Sequence, residues 1–188
     1  MFFLRGYRGL LIPIIIIVLL DQLLKIYIKT SFEIGESFVV LPWFVLYFVE
    51  NNGFAFGLEF FGKHGKAVLT LTRILFVCFI CFWLNRLIKN KEGSTVLIFA
   101  FILIISGAIG NIIDSVFYGV LFDYAPLFHG KVVDMFYLPI FSGTYPEWLP
   151  FLGGKEFVFF RYIFNIADSS ITIGAFLLLL LHKQIPTK

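Results

Sequence analysis

TVLIFAFILIISGAIGNIIDSV, residues 95–116, decides how the rest of this chain is read. From Thr95 to Gly110 it carries no charge, and then Asn111 and Asp114 follow, one helical turn apart. About 20 apolar residues suffice to cross a bilayer as a helix, so this is a span that ends in an amide and a carboxylate. An ionised carboxylate costs ~2.5 kcal/mol or more at the centre of a membrane helix. A chain keeps such a group for a task, and the task is sought in the other polar residues that accompany it.

The composition agrees with a membrane setting. Of 188 residues, 60% are hydrophobic and only 14% are charged, with a mean hydropathy of +0.94. A soluble domain is about a quarter charged, so an integral membrane protein is expected, with the 26 Phe residues largely facing lipid. The net charge of +3 says little. There is no basic stripe and no motif for nucleic acid.

Four stretches are long enough to span: about 10–28, 67–88, 95–116 and 162–181. The first has Arg5 and Arg8 ahead of an apolar run, like a signal peptide. It lacks a small-x-small cleavage site and continues into Asp21-Gln-Leu-Leu-Lys25, so a retained span is expected. Basic residues cluster at Arg5 and Arg8, at Arg86, Lys89 and Lys91, and at Lys183 and Lys188. By the positive-inside rule both termini and the 89–94 loop are cytoplasmic. The longer connections, 29–66 and 117–161, then face outward, and the whole of 1–188 is read as one membrane-embedded domain.

Those outer segments carry structure of their own. Residues 38–60 are β-branched and aromatic, bounded by Pro42 and Gly53, and read as one or two strands at the membrane surface. Residues 137–160, with Pro139, Pro146, Pro150, Gly143, Gly153 and Gly154, read as a lid or surface hairpin.

At a rise of 1.5 Å per residue, Asn111 and Asp114 lie about 24–29 Å along the third span, near its outer end. Asn165 and Asp168 fall within about 5–9 Å of the outer end of the fourth. Asp21 and Lys25 are in the outer half of the first, and Asp134 is in the outer connection. Polar residues from three spans therefore converge on one layer. Asn111–Asp114 and Asn165–Asp168 share Asn-x-x-Asp spacing, which puts each amide one turn from a carboxylate it can orient. Asp21 and Lys25, at i and i+4, form either an intrahelical ion pair or a support for the site.

Cys78 and Cys81 lie along an apolar helix with no charged neighbour, and are read as packing thiols without a disulfide. His64, His129 and His182 are scattered and expected at the surface. There is no His-Glu-x-x-His, and Ser106 has no Gly-x-Ser-x-Gly context, so neither a metal nor a serine mechanism is indicated. No cofactor is expected. Two carboxylates that share a proton would suit an aspartic protease. A small proton-coupled transporter or channel subunit is the alternative, disfavoured because the acids lie near the outer surface and no repeat is present. A scaffold with Asn/Asp pairs as interhelical glue is the third reading.

Asp21-x-x-x-Lys25, Asn51-Asn52-Gly53-Phe54-Ala55-Phe56, Gly107-Ala-Ile-Gly110-Asn111-Ile-Ile-Asp114, Val132-Val133-Asp134 and Phe164-Asn165-Ile-Ala167-Asp168 occur in that order. Taken together they resemble the lipoprotein signal peptidases (type II signal peptidases). The resemblance implies four transmembrane helices, a small extracytoplasmic β-cradle and a loop closing over the site. It also implies a bacterial inner-membrane aspartic endopeptidase with its active site near the outer surface. Such an enzyme cuts diacylglyceryl-modified prolipoproteins just before the lipidated cysteine. The implied dyad is Asp134 and Asp168. Asp21, Lys25, Asn51, Gly53, Asn111, Asp114 and Asn165 become substrate-binding or supporting residues. Membrane lipid as a partner, a monomeric state and inhibition by globomycin-type depsipeptides are further implications.

Two departures stand out. The family usually has Arg directly after Gly-Asn-x-x-Asp, where this chain has Ser115, so Asp114 needs another partner, with Lys131 or Arg161 as candidates. The Asp114–Asp134 and Asp134–Asp168 intervals are also longer than usual. The extra residues fall in outer loops, where insertion is entropically cheap, so loop geometry and substrate range are more exposed to change than the chemistry.

Overall fold

Ser94 starts the central helix: its hydroxyl accepts a hydrogen bond from the Leu97 N–H at 3.2 Å, an N-cap immediately ahead of the apolar run. In the computed structural model, which describes residues 7–53 and 65–184, that helix is α3, Thr95–Ile113. It continues through a π-helical turn, Asp114–Tyr118, into a last short turn, α4, Gly119–Leu121. The other helices are α1 (Tyr7–Ser31), α2 (Gly65–Lys89) and α5 (Ile166–Leu180). The motif residues Phe54, Ala55 and Phe56, the end of the expected 38–60 strand segment, His64, Arg5 and Lys188 lie outside the described residues.

The chain divides into two compact units. The helical unit comprises 1–24, 51–132 and 166–188, and α3 is its axis. In the apolar stretch of α3, 67% of residues are buried, against 22% in α1 and in α2. Leu84 and Leu87 of α2 pack with Leu97, Phe101, Ile102 and Ile105 of α3 to form its core. On the outside, Leu75, Phe82 and Leu179 are 70%, 68% and 71% exposed. An apolar exterior of that extent belongs in hydrocarbon, where helices satisfy their own backbone.

The packing of α5 on α3 is the closest in the unit, and Gly107 permits it. A Cβ at Gly107 would sit 2.2 Å from the Ala167 carbonyl oxygen, and one at Gly110 would sit 2.6 Å from a carboxylate oxygen of Asp21. Small residues at such crossings let backbones touch.

Three helices are long and apolar enough to cross a membrane: Gly9–Ser31, Gly65–Lys89 and Thr95–Leu121. The fourth expected span, 162–181, is shorter than read, because α5 begins only at Ile166 and has 15 residues. Ile163 and Phe164 form a strand instead. A short apolar run at a helix start is ambiguous between the two periods. The third span, by contrast, runs past the expected end at Val116.

The second unit, 25–50 and 133–165, is the expected β region. A four-stranded sheet has the order β1-β2-β3-β6, with β1 Ser37–Leu41, β2 Phe44–Asn51, β3 Val132–Tyr137 and β6 Ile163–Phe164. Tyr137 pairs with Ile163 and Phe136 with Phe164. Cross-strand aromatics hold it: Phe44 and Phe136, and Phe136 and Phe164, each have centroids 5.8 Å apart. Lys29 and Glu50 form an ion pair. The expected surface hairpin is present as β4 (Phe141–Thr144) and β5 (Glu156–Phe159), with Phe141 stacked on Phe159 at 4.7 Å.

Cys78 and Cys81 do not pack inside. Both are exposed and free, and the buried residues of α2 are Gly65, Lys66, Thr70, Ile80, Leu84 and Leu87.

Gly107→Ala should push α5 from α3 and destabilise the protein by about 2 kcal/mol or more. Leu179→Ala, on the exposed face, should stay within about 0.5 kcal/mol. Thermal unfolding in detergent compares them, and equal midpoints would refute the close-packing account.

Candidate active site

The site begins at the polar end of α3, where apolar periodicity gives way to Asn111, Asp114 and Ser115. All three are buried, and Asp114 and Ser115 are 0% exposed. Buried polar atoms require partners, and the helical unit supplies them from three other elements.

Asn111 donates from Nδ2 to Asp168 Oδ1 at 2.8 Å, so the amide of α3 holds the acid in the first turn of α5. The hydrogen bond thus runs between helices, beyond the same-helix Asn-x-x-Asp neighbours that the spacing suggested. Asn111 reaches across to Asp168, and Asn165 lies before α5 begins, outside the helix of Asp168. Asp114 instead receives Gln22 Nε2 at 2.9 Å. That same amide nitrogen is within 3.1 Å of the Gly110 carbonyl and 3.2 Å of Asp21 Oδ2, while Tyr118 OH donates to Gln22 Oε1 at 3.2 Å. A neutral glutamine is thus one partner of Asp114. Of the cations considered, Lys131 stands over the Tyr124 ring and Arg161 is an exposed residue of the β unit.

Asp21, 1% exposed, accepts the backbone N–H of Ala167 at 2.9 Å. This N–H belongs to the first turn of α5, which has no intrahelical acceptor for it, and a carboxylate there also opposes the positive end of the helix dipole. Asp21 thus caps α5 one residue before Asp168. Lys25 is fully buried.

Ser115 Oγ donates to the Asn111 carbonyl at 2.8 Å and accepts from Arg73 Nη1 at 3.2 Å. Arg73 Nη2 donates to the Gly53 carbonyl at 2.9 Å, and Lys66 Nζ to the Asn52 carbonyl at 2.7 Å. Asn51 Oδ1 accepts the Gly53 N–H at 2.7 Å, so Asn51 makes the tight turn that Asn-Asn-Gly suggests. Gly53 has φ +81°, and a Cβ there would meet the Arg73 guanidinium at 2.7 Å. A cavity of about 190 Å³ is lined by the polar Arg73, Asn111 and Asp168 and the apolar Phe76, Ile104, Ala108 and Ile171.

In the β unit, Asp134 is 3% exposed on β3. Asn165 donates from Nδ2 to Asp134 Oδ1 at 2.7 Å and reaches the Val133 carbonyl at 3.2 Å. Each of the two acids singled out in the sequence is thus oriented by one of the two asparagines. Ser106, by contrast, uses its hydroxyl on the Ile102 carbonyl within its own helix.

The sequence reading passed over Gln22, Lys66 and Arg73. Arg73 was the findable one, because it is the one charge between Ala67 and Leu84 of an apolar helix, and a charge so placed marks a site by default.

The profile of the family described as signal peptidase (SPase) II matches residues 13–183. The chain belongs to the signal peptidase II family. A lipoprotein signal peptidase of Porphyromonas gingivalis is 45% identical over 186 residues, covering 91% of this chain and 81% of the relative. One of Amoebophilus asiaticus is 35% identical, covering 87% and 72%. A solved bacterial membrane enzyme matches with a TM-score of 0.67 and 29% identity over 94% of this chain and 93% of that one. In this signal peptidase II chain, the five sequence motifs all fall within the matched region.

Gln22→Glu would set a third carboxylate against Asp21 and Asp114 and remove the shared donor. We expect a loss of roughly 1–3 kcal/mol or more, read as a melting point lower by about 5 °C. An unchanged melting point would show that Gln22 does not hold this cluster.

Proposed function

We propose that the protein removes signal peptides from prolipoproteins as an aspartic endopeptidase, with Asp134 and Asp168 as its catalytic pair. Family membership supports the peptidase activity and prolipoproteins as substrates, and it displaces the transporter and scaffold alternatives. One observation carries the choice of acids: each is gripped by an asparagine amide, Asp134 by Asn165 and Asp168 by Asn111, at 2.7 and 2.8 Å. Asn165 also precedes Asp168 by only three residues in the chain.

Two aspartates acting on one bond do not both ionise cheaply, so the working pair carries one proton between them. The ionised member accepts a proton from water as its oxygen attacks the scissile carbonyl. The protonated member donates to the carbonyl oxygen, giving a neutral tetrahedral intermediate. On collapse the C–N bond breaks and the cysteine nitrogen takes a proton from the pair. A neutral amide partner suits this role. Its N–H donor fixes one carboxylate oxygen and leaves the other for water or substrate.

The substrate reading extends to the lipid. We place the scissile bond just before a diacylglyceryl-modified cysteine, whose acyl chains need apolar walls of the kind that Phe76, Ile104 and Ile171 give the cavity beside Asp168. The enzyme is then a multi-pass protein of the bacterial inner membrane. Arg86, Lys89 and Lys91 mark the cytoplasmic side, and Asp168 lies near the outer surface. α5 serves as a short fourth span of about 22 Å. A monomer inhibited by globomycin-type depsipeptides completes the reading.

Cleavage of a purified diacylglyceryl-prolipoprotein in detergent tests it. Asp134→Asn and Asp168→Asn should each slow cutting by roughly 10²–10⁴-fold with folded protein recovered. A variant that cuts at the wild-type rate removes that Asp from the pair and makes Asp114 the next to replace.

A further inference from the structure

We propose that Arg73 supplies, from α2, the guanidinium that the family pattern places at position 115, and that it positions the Asn51–Gly53 segment for substrate. The proposal rests on reading the cavity beside Asp168 as the substrate site.

The observations are independent of the motif. Ser115 fills the position directly after Gly-Asn-x-x-Asp, and its hydroxyl is 0% exposed with its residue and accepts from Arg73. The guanidinium thus ends beside the place from which an arginine at 115 would project. Arg73 is half-buried in an otherwise apolar stretch, a costly position unless the charge is used. Its second nitrogen grips the Gly53 carbonyl, while Lys66 of the same helix grips the preceding carbonyl, that of Asn52. Two cations about two turns apart on α2 therefore clamp consecutive peptide units of the segment.

Gly53 is shaped for this contact. Its positive φ strains any side chain there, and a Cβ would sit 2.7 Å from the Arg73 guanidinium and displace it from this contact. The same guanidinium forms the wall of the cavity together with Asn111 and Asp168. Arg73 is therefore a positioning residue. It fixes the backbone that a bound peptide would run against, and through Ser115 it ties that backbone to the helix bearing Asn111. An arginine fits the task better than a lysine, because its planar fork spans two acceptors at once.

The effect should appear in binding more than in the chemical step. In an Asp168→Asn background, which binds without cutting, Arg73→Gln should weaken binding of a fluorescent diacylglyceryl-cysteine peptide by about tenfold or more, the loss expected of a charge-assisted contact. In the cutting enzyme the same change should raise KM more than it lowers kcat, Arg73→Lys should recover part of the loss, and Arg73→Gln/Ser115→Arg should recover more. Melting points monitor folding. An unchanged Kd and KM for Arg73→Gln overturn the proposal, as does a folded double variant no better than the single. If the double variant does not fold, the Kd of Arg73→Gln decides alone. A wild type that binds the peptide but leaves prolipoprotein uncut would overturn the catalytic reading, while the Kd comparison still tests Arg73.

Discussion

The contact between Asp21 and the first turn of α5 governs the helical unit. A helix that starts at Ile166 leaves its early N–H groups without internal acceptors, and in an apolar surrounding each one left unmade costs several kcal/mol. Asp21 meets one of them, at Ala167, from α1. It can do so only because Gly110 of α3 has no side chain in the way, and Gly107 lets the Ala167 carbonyl come equally close. Three helices are thereby locked at the residue before Asp168. The position of the acid follows from backbone satisfaction first and from its own hydrogen bond to Asn111 second.

That hierarchy explains which parts of the site could be read from sequence. Asn111, Asp114, Asn165 and Asp168 were legible because polar residues at the ends of apolar runs have few other reasons to be there. Their pairing was not legible. Asn-x-x-Asp spacing describes neighbours on one helix, yet Asn165 sits before α5 and Asn111 donates to an acid on another helix. Gln22 was invisible for a different reason: beside Asp21 it reads as an unremarkable polar flank, and only the fold brings Gly110 and Asp114 to its amide. Hydropathy placed three spans well. It overran at the fourth, because Ile163 and Phe164 are as apolar in a strand as in a helix. The cysteines failed by the converse error, since an apolar neighbourhood in a membrane helix means lipid as readily as core.

Asp168, Asp134 and Asp114 each accept from a carboxamide, of Asn111, Asn165 and Gln22 in turn. The cations Lys66 and Arg73 reach backbone carbonyls and the Ser115 hydroxyl, and Arg73 also lines the cavity with Asp168. The carboxamides fix the orientation of a carboxylate oxygen through neutral donors, while the two cations hold the backbone of Asn52 and Gly53.

The long intervals around Asp134 are accommodated without disturbing these contacts. After Asp114 the chain runs out through the π-helical turn and α4, then returns so that Phe128 N–H bonds the Val116 carbonyl at 3.1 Å and Gly130 N–H bonds the Ser115 carbonyl at 2.9 Å. The excursion closes on the residues it left, and Gly130 fits there only without a Cβ, which would lie 2.1 Å from the Asp114 carbonyl oxygen. Within the β unit, the residues between Tyr137 and Ile163 pair with themselves as β4 and β5, so that β3 and β6 still meet at Tyr137 and Ile163. Loop closure grows only logarithmically with length, and both segments have ends fixed by other bonds, separate from the asparagine contacts that hold the acids.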